Sequence, residues 1–217
     1  MAALRLLLIM FVLRPLARLL TGVDVVGRER LPTTGPAIVA GNHNSHMDTL
    51  LLLALFSARA LPRVRPAAAA DYFLADPRLA WFARNIIGIV PVERARAGEG
   101  VDRLAPAKAA LSAGDILVIF PEGTRGADGH AGMAPLKTGV ARLAEACPGA
   151  PVIPVWIQGA GRVLPKGAAL PVPMNCCVLV GEPIAWAGDR DAFMAKLKAA
   201  LDALEAQAPP LRWKETE

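Results

Sequence analysis

The sequence predicts one α/β domain with a mostly parallel, mixed sheet flanked by helices. Three observations predict it. Apolar runs of strand length alternate with helical segments from Val23 to Ala206, the pattern of strand–helix–strand units. The chain has 217 residues, enough to bury one substantial core. No repeat and no long linker divides it. The expected organisation is a membrane-interface helix over residues 1–22 and the main domain over residues 23–217.

Residues Met1 to Leu20 form the most apolar segment, with Leu6 to Leu13 uninterrupted between Arg5 and Arg14. As a helix that run is about 12 Å long, short of the roughly 30 Å hydrocarbon core of a bilayer. It is therefore expected to lie in the interface rather than span. Arg5, Arg14 and Arg18 would reach phosphate headgroups while the leucines dip below them. Pro15 is expected to kink or interrupt the helix. A helix packed on the domain's own core is the alternative. A signal peptide fits less well, because no small-residue cleavage site follows.

Val23 to Val26 reads as a short strand, Pro36 to Ala40 as a buried one, and Thr49 with its four leucines as the start of a helix. Val64 to Ala70 is the next strand, Pro77 to Ile87 the next helix, and Gly88 to Val92 a short strand. Val101 to Ala113 is an alanine-rich helix stopped by Gly114. Asp115 to Phe120 is the clearest buried strand, and it runs into Pro121-Glu122-Gly123-Thr124-Arg125. Lys137 to Ala146 is a helix, Pro151 to Gln158 a strand, Gly159 to Pro173 a loop, and Asn175 to Val180 a strand. Arg190 to Ala206 closes the chain as a solvated helix.

Between the second strand and its helix lies Gly41-Asn42-His43-Asn44-Ser45-His46-Met47-Asp48. Ser45 ahead of an apolar run, with an acid three residues on, signals a helix start. Residues five apart in one helix face about 140° away from each other. If the helix starts between them, the chain bends and His43 can meet Asp48. A carboxylate on one ring nitrogen fixes the tautomer and leaves the other nitrogen as a general base. Asp48 as a capping acid alone is the plainer reading, and His46 is the rival base. Ser45 or Ser57 as a hydrolase nucleophile lacks the Gly-x-Ser-x-Gly elbow. A metal site lacks a nearby third ligand, so none is expected.

His43, Arg94, Glu122 and Arg125 each follow an apolar strand. In an open α/β sheet, ligands bind at the carboxyl ends of the strands. Parallel strands would bring the four to one edge.

The composition narrows the partners. The chain is 54% hydrophobic with net charge +5 and mean hydropathy +0.39. A basic, aliphatic protein suits an anionic membrane surface or anionic substrate. The chain has no basic run interleaved with aromatics, so nucleic acid is not an expected partner. The three cysteines, with Cys176 and Cys177 adjacent, read as reduced packing residues that point to opposite faces of a strand.

His43 to Asp48 resembles the His-x-x-x-x-Asp block of the glycerolipid acyltransferases. Phe120-Pro-Glu-Gly-Thr-Arg125 resembles that family's Phe-Pro-Glu-Gly-Thr block, and Gly88-Ile-Val-Pro-Val-Glu-Arg94 its intervening Gly-x-x-x-x-x-Arg block. Leu136-Lys137-Thr138-Gly139 matches a Lys-x-Gly element, and Val152-Ile-Pro-Val155 the fourth block. The resemblance covers Val23 to Val180. It implies a glycerol-3-phosphate acyltransferase-like fold and transfer of a fatty acyl group from acyl-CoA or acyl carrier protein to the hydroxyl of 1-acylglycerol-3-phosphate. His43 would be the base and Asp48 its orienter. Arg94, Glu122 and Gly123 would bind the acceptor, with Thr124 and Arg125 beside them. Lys137 reads as a solvated charge opening a helix. The implied reaction needs no cofactor and no metal. It belongs at the cytoplasmic face of the inner membrane, with a peripheral or monotopic enzyme. The segment Ala67 to Phe73 carries Asp71 where many lysophosphatidate-specific members carry a lysine, and Pro91 and Glu93 replace the commoner phenylalanine and aspartate. Another lysolipid, a lysophospholipid or an amino-acid-containing one, is the alternative acceptor.

Overall fold

The computed structural model describes residues 2–70, 76–92, 102–123, 133–164 and 170–210. Among the described residues seven strands form one sheet in the order β1-β7-β6-β2-β5-β3-β4. They are β1 Asp24–Val26, β2 Ala37–Gly41, β3 Val64–Ala69, β4 Val90–Val92, β5 Ile116–Ile119, β6 Val152–Gln158 and β7 Cys177–Val180. All neighbours pair parallel except β6 with β7. The sheet is therefore mixed and mostly parallel, as the alternation of elements predicts.

Helices cover both faces, which is why β2 and β5 are apolar without interruption. Successive residues of β2 divide between two cores. Ala37 and Val39 join the core beneath the N-terminal helix and α3 (His46–Leu55). Ile38 and Ala40 join the core under Ala105–Ser112, Gly139–Ala146 and Arg190–Gln207. Cys176 and Cys177 likewise fall in different clusters, on opposite faces. The closing helix is solvated on one side only, since Phe193, Leu197, Leu201 and Leu204 are buried. The segment after β6 is not wholly loop, because Ala160–Val163 makes one helical turn.

The N-terminal segment differs from expectation in two ways. Pro15 does not stop the helix. α1 (Ala2–Leu8) passes through a π-helical turn, Ile9–Leu13, into α2 (Arg14–Thr21). The restart puts Pro15 in the first turn of α2, where a missing N–H costs least. Gly22, left-handed at φ 43°, ends the helix. The second difference is Arg5, which is 4% exposed and points into the protein. Its guanidinium donates to main-chain carbonyls and reaches no headgroup. Arg18 is exposed and Arg14 half-exposed. One side of the helix, with Ile9 and Ala17, belongs to the core. Leu4, Leu7, Phe11, Val12, Leu16 and Leu19 are exposed. No described helix is long and apolar enough to cross a membrane.

Candidate active site

The carboxyl ends of β2, β5, β3 and β4 lie along one sheet edge, because each runs parallel to the next. His43 follows β2 and Glu122 follows β5, the adjacent strand, with Ala40 paired to Ile119.

Ser45 is extended (φ −150°, ψ 159°) and caps α3, accepting the Met47 N–H at 3.2 Å. Asp48 closes the capping box. Its Oδ2 accepts the Asn44 and Ser45 N–H groups, each at 2.7 Å, and also meets His43 Nδ1 at 3.0 Å. The plainer reading of Asp48 and the chemical one are thus both correct, and one oxygen serves both. Oδ2 already accepts two main-chain N–H groups, so it faces the imidazole as an acceptor too. Nδ1 is therefore the donor to it, and Nε2 carries the free lone pair. Asp48 is fully buried, whereas the His43 side chain is 14% exposed. Nε2 has no hydrogen-bond partner among the described residues.

Two neighbours that the sequence reading missed hold the turn. The Phe120 ring stacks on the imidazole at 4.1 Å between centroids and 14° between planes. Asn42 is 2% exposed and clamps β6, accepting the Ile157 N–H at 2.6 Å and donating to its carbonyl at 2.9 Å. Phe120 opens the Phe-Pro-Glu-Gly-Thr block and Asn42 precedes His43, but no periodicity singles them out. His46 opens α3, and the ring that meets Asp48 is that of His43.

Glu122 is 3% exposed. Its Oε1 accepts the His43 main-chain N–H at 2.7 Å and its Oε2 the Ala134 N–H at 2.9 Å. Burial pushes its carboxyl above the ordinary value, and the two N–H bonds pull against that. Gly123 is left-handed at φ 71°, and a Cβ there would lie 2.5 Å from Lys137 Nζ. Lys137 therefore lies across the Gly123 turn, its own N–H bonded to Pro121 O at 2.8 Å. The following helix starts only at Gly139. Arg94, Thr124 and Arg125 lie outside the described residues.

The serines are otherwise engaged. The Ser45 hydroxyl donates to Leu164 O at 2.9 Å, and Ser57 Oγ accepts the Ala60 N–H. Burial first, then the Asp48 charge, pushes the Cys176 thiol up to about 12, so it is no nucleophile at neutral pH. The arrangement provides one proton acceptor beside a sheet edge, with its tautomer fixed and its ring immobilised.

Comparison with known proteins gives a consistent picture. A family model described as Acyltransferase matches residues 22–158. A chloroplastic 1-acyl-sn-glycerol-3-phosphate acyltransferase of Brassica napus is 32% identical over 146 residues, 67% of this chain and 40% of the relative. A 1-acyl-sn-glycerol-3-phosphate acyltransferase alpha of Mus musculus is 31% identical over 139 residues, 61% of this chain and 44% of the relative. The match thus spans less than half of these curated relatives. The crystal structure of the 1-acyl-sn-glycerophosphate (LPA) acyltransferase PlsC from Thermotoga maritima aligns with TM-score 0.65 at 25% identity, covering 89% of this chain and 79% of that one.

Proposed function

The chain belongs to the Acyltransferase family, and from that premise we propose that it transfers a fatty acyl group from an acyl thioester to the free hydroxyl of 1-acylglycerol-3-phosphate, giving phosphatidate. The observation that carries this reading is the His43 Nδ1–Asp48 Oδ2 contact of 3.0 Å at the carboxyl edge of β2. It leaves Nε2 as a base. The proton of the acceptor hydroxyl goes to Nε2 as the oxygen attacks the thioester carbonyl. The carbonyl carbon becomes tetrahedral and its oxygen anionic. Main-chain N–H groups of the glycine-bearing turns are the donors suited to that oxyanion. Collapse expels the thiolate, which takes the proton back from Nε2. No acyl-enzyme forms, and no cofactor or metal takes part; acyl-CoA or acyl carrier protein is a co-substrate.

The relatives named for lysophosphatidate as acceptor support that choice. The acid at Asp71, where a lysine is commoner, favours a second reading, the same chemistry on another lysolipid. An acylation assay with purified protein, acyl-CoA and a panel of lysolipids tests both. Lysophosphatidate should be the best acceptor. If it is ignored while a lysolipid with a neutral headgroup is acylated, the second reading replaces the first.

The reaction is expected at the cytoplasmic face of the inner membrane, with the protein held at the surface by its N-terminal helix. Phe11 and Leu19 are 74% and 78% exposed, and the exposed Arg18 adjoins Leu19 in sequence. Burying one such side chain in lipid contributes about 1.5–3 kcal/mol. Phe11→Asp and Leu19→Asp should therefore each weaken sedimentation with anionic vesicles by about tenfold or more while the melting temperature holds. Unchanged sedimentation would remove the helix from the lipid contact. Point substitutions on the exposed face are the suitable test, because Arg5, Ile9 and Ala17 are buried and deleting the helix would open the core.

A further inference from the structure

We propose that Glu122 is a positioning residue, which holds the catalytic turn through the His43 main-chain N–H and does not bind the acceptor. The inference rests on His43 being the base of the proposed reaction. The family resemblance puts Glu122 on the glycerol-phosphate end of the acceptor. Its surroundings assign it elsewhere. Each carboxylate oxygen already accepts a main-chain N–H, from His43 at 2.7 Å and from Ala134 at 2.9 Å. At 3% exposed it presents nothing to a ligand. A phosphate is an anion, and a carboxylate would repel it.

What Glu122 does hold is specific. His43 is fixed at three points: its N–H on Glu122, its Nδ1 on Asp48 at 3.0 Å, and its ring face on Phe120 at 4.1 Å. Removing the first frees the main chain to rotate, and the ring then leaves Phe120 or Asp48. The second oxygen ties the same turn to Ala134. Beyond Ala134, Lys137 returns an N–H to Pro121 O at 2.8 Å. Residues 43, 120–123 and 134–137 are thus one hydrogen-bonded unit, and Glu122 is the side chain at its centre.

The chemistry explains why the residue is Glu. Two N–H donors approach two different oxygens, which needs an acceptor at both ends. Glutamine offers one oxygen and turns an amide N–H₂ toward the other donor. Aspartate is one methylene short.

The test is kinetic and structural together, on the full chain. In Glu122→Gln, kcat should fall about 10–100-fold, the scale of a misplacement near 1 Å. The KM for lysophosphatidate should stay within about threefold. Amide hydrogen exchange over residues 41–48 should speed up at His43. A rise of about tenfold or more in acceptor KM with kcat unchanged would place Glu122 on the acceptor and overturn the proposal. So would a His43 amide that exchanges freely in the wild-type protein, a measurement that needs neither turnover nor a folded variant. A wild-type protein that acylates no lysolipid but protects the His43 amide would sink the function while leaving the Glu122 contact standing.

Discussion

Replacing His43 with alanine is expected to lower kcat by about 10²–10⁴-fold, the usual contribution of a positioned general base, with the fold intact. The fold survives because the side chain supports little. The ring makes one hydrogen bond, through Nδ1, and one stack, on Phe120, while the main-chain N–H on Glu122 is kept by alanine. What is lost is Nε2 and the route for the hydroxyl proton. The KM for the acceptor should change little, because the base acts only as charge develops. Asp48→Asn gives a different pattern. An amide at Asp48 supports the imidazole less well and caps α3 less well, since Oδ2 serves three donors. It should lower both the rate and, by about 1 kcal/mol, the stability. Unfolding of the two variants in urea separates the effects. Stable His43→Ala protein that still turns over within about tenfold of wild type would remove His43 as the base.

How far this site was legible depended on whether a signal was local. The Ser45 cap is written in four consecutive residues, so the start of α3 and the bend that lets His43 meet Asp48 could be read directly. The parallel edge could be read too, because buried strands alternate with helices and such connections leave few topologies. Four features could not. The stacking of Phe120 on His43 and the clamp of Asn42 on Ile157 arise between neighbouring strands, across 77 and 115 positions of sequence. The Glu122 bonds use main-chain donors, which every residue but proline has and no motif marks. Arg5 is the clearest case. An arginine inside a leucine run near the N-terminus has the composition of a lipid anchor, and only the packed structure reveals the carbonyls that surround it.

Those carbonyls make Arg5→Ala the substitution with the largest expected effect on stability. The guanidinium has five N–H donors, and all are used. Nε bonds Ile86 O at 3.1 Å, Nη1 bonds Leu61 O at 2.9 Å and Pro62 O at 3.1 Å, and Nη2 bonds Val64 O at 2.6 Å and Ile87 O at 3.0 Å. Burial first, then the Arg65 charge, lowers its pKa to about 10, so it stays cationic at neutral pH. Gly88, at φ 78°, is part of the same fit: a Cβ there would lie 2.8 Å from the Arg5 Cζ. Alanine at position 5 removes every donor at once and leaves buried carbonyls facing a void. An unsatisfied buried acceptor costs about 1–3 kcal/mol, reduced where water can enter. The sum over this cluster is about 3–5 kcal/mol, comparable to breaking a buried ion pair. For a domain of this size that is a fall in Tm of roughly 6–20 °C. Arg5→Lys should lose less than Arg5→Ala, since an ammonium keeps the charge and three donors. A calorimetric Tm within about 2 °C of wild type for Arg5→Ala would show that the carbonyls find other partners. The contact also has a functional side. It fixes α1, whose outer face carries Leu4 and Leu7, to the chain at Leu61–Val64 and Ile86–Ile87, next to β3 and β4. Those strands end at the edge where His43 sits. If the exposed leucines rest in lipid, Arg5 sets the height of the active site above the membrane. Loosening it should then lower turnover on vesicle-borne acceptor more than on a short-chain, monomeric one.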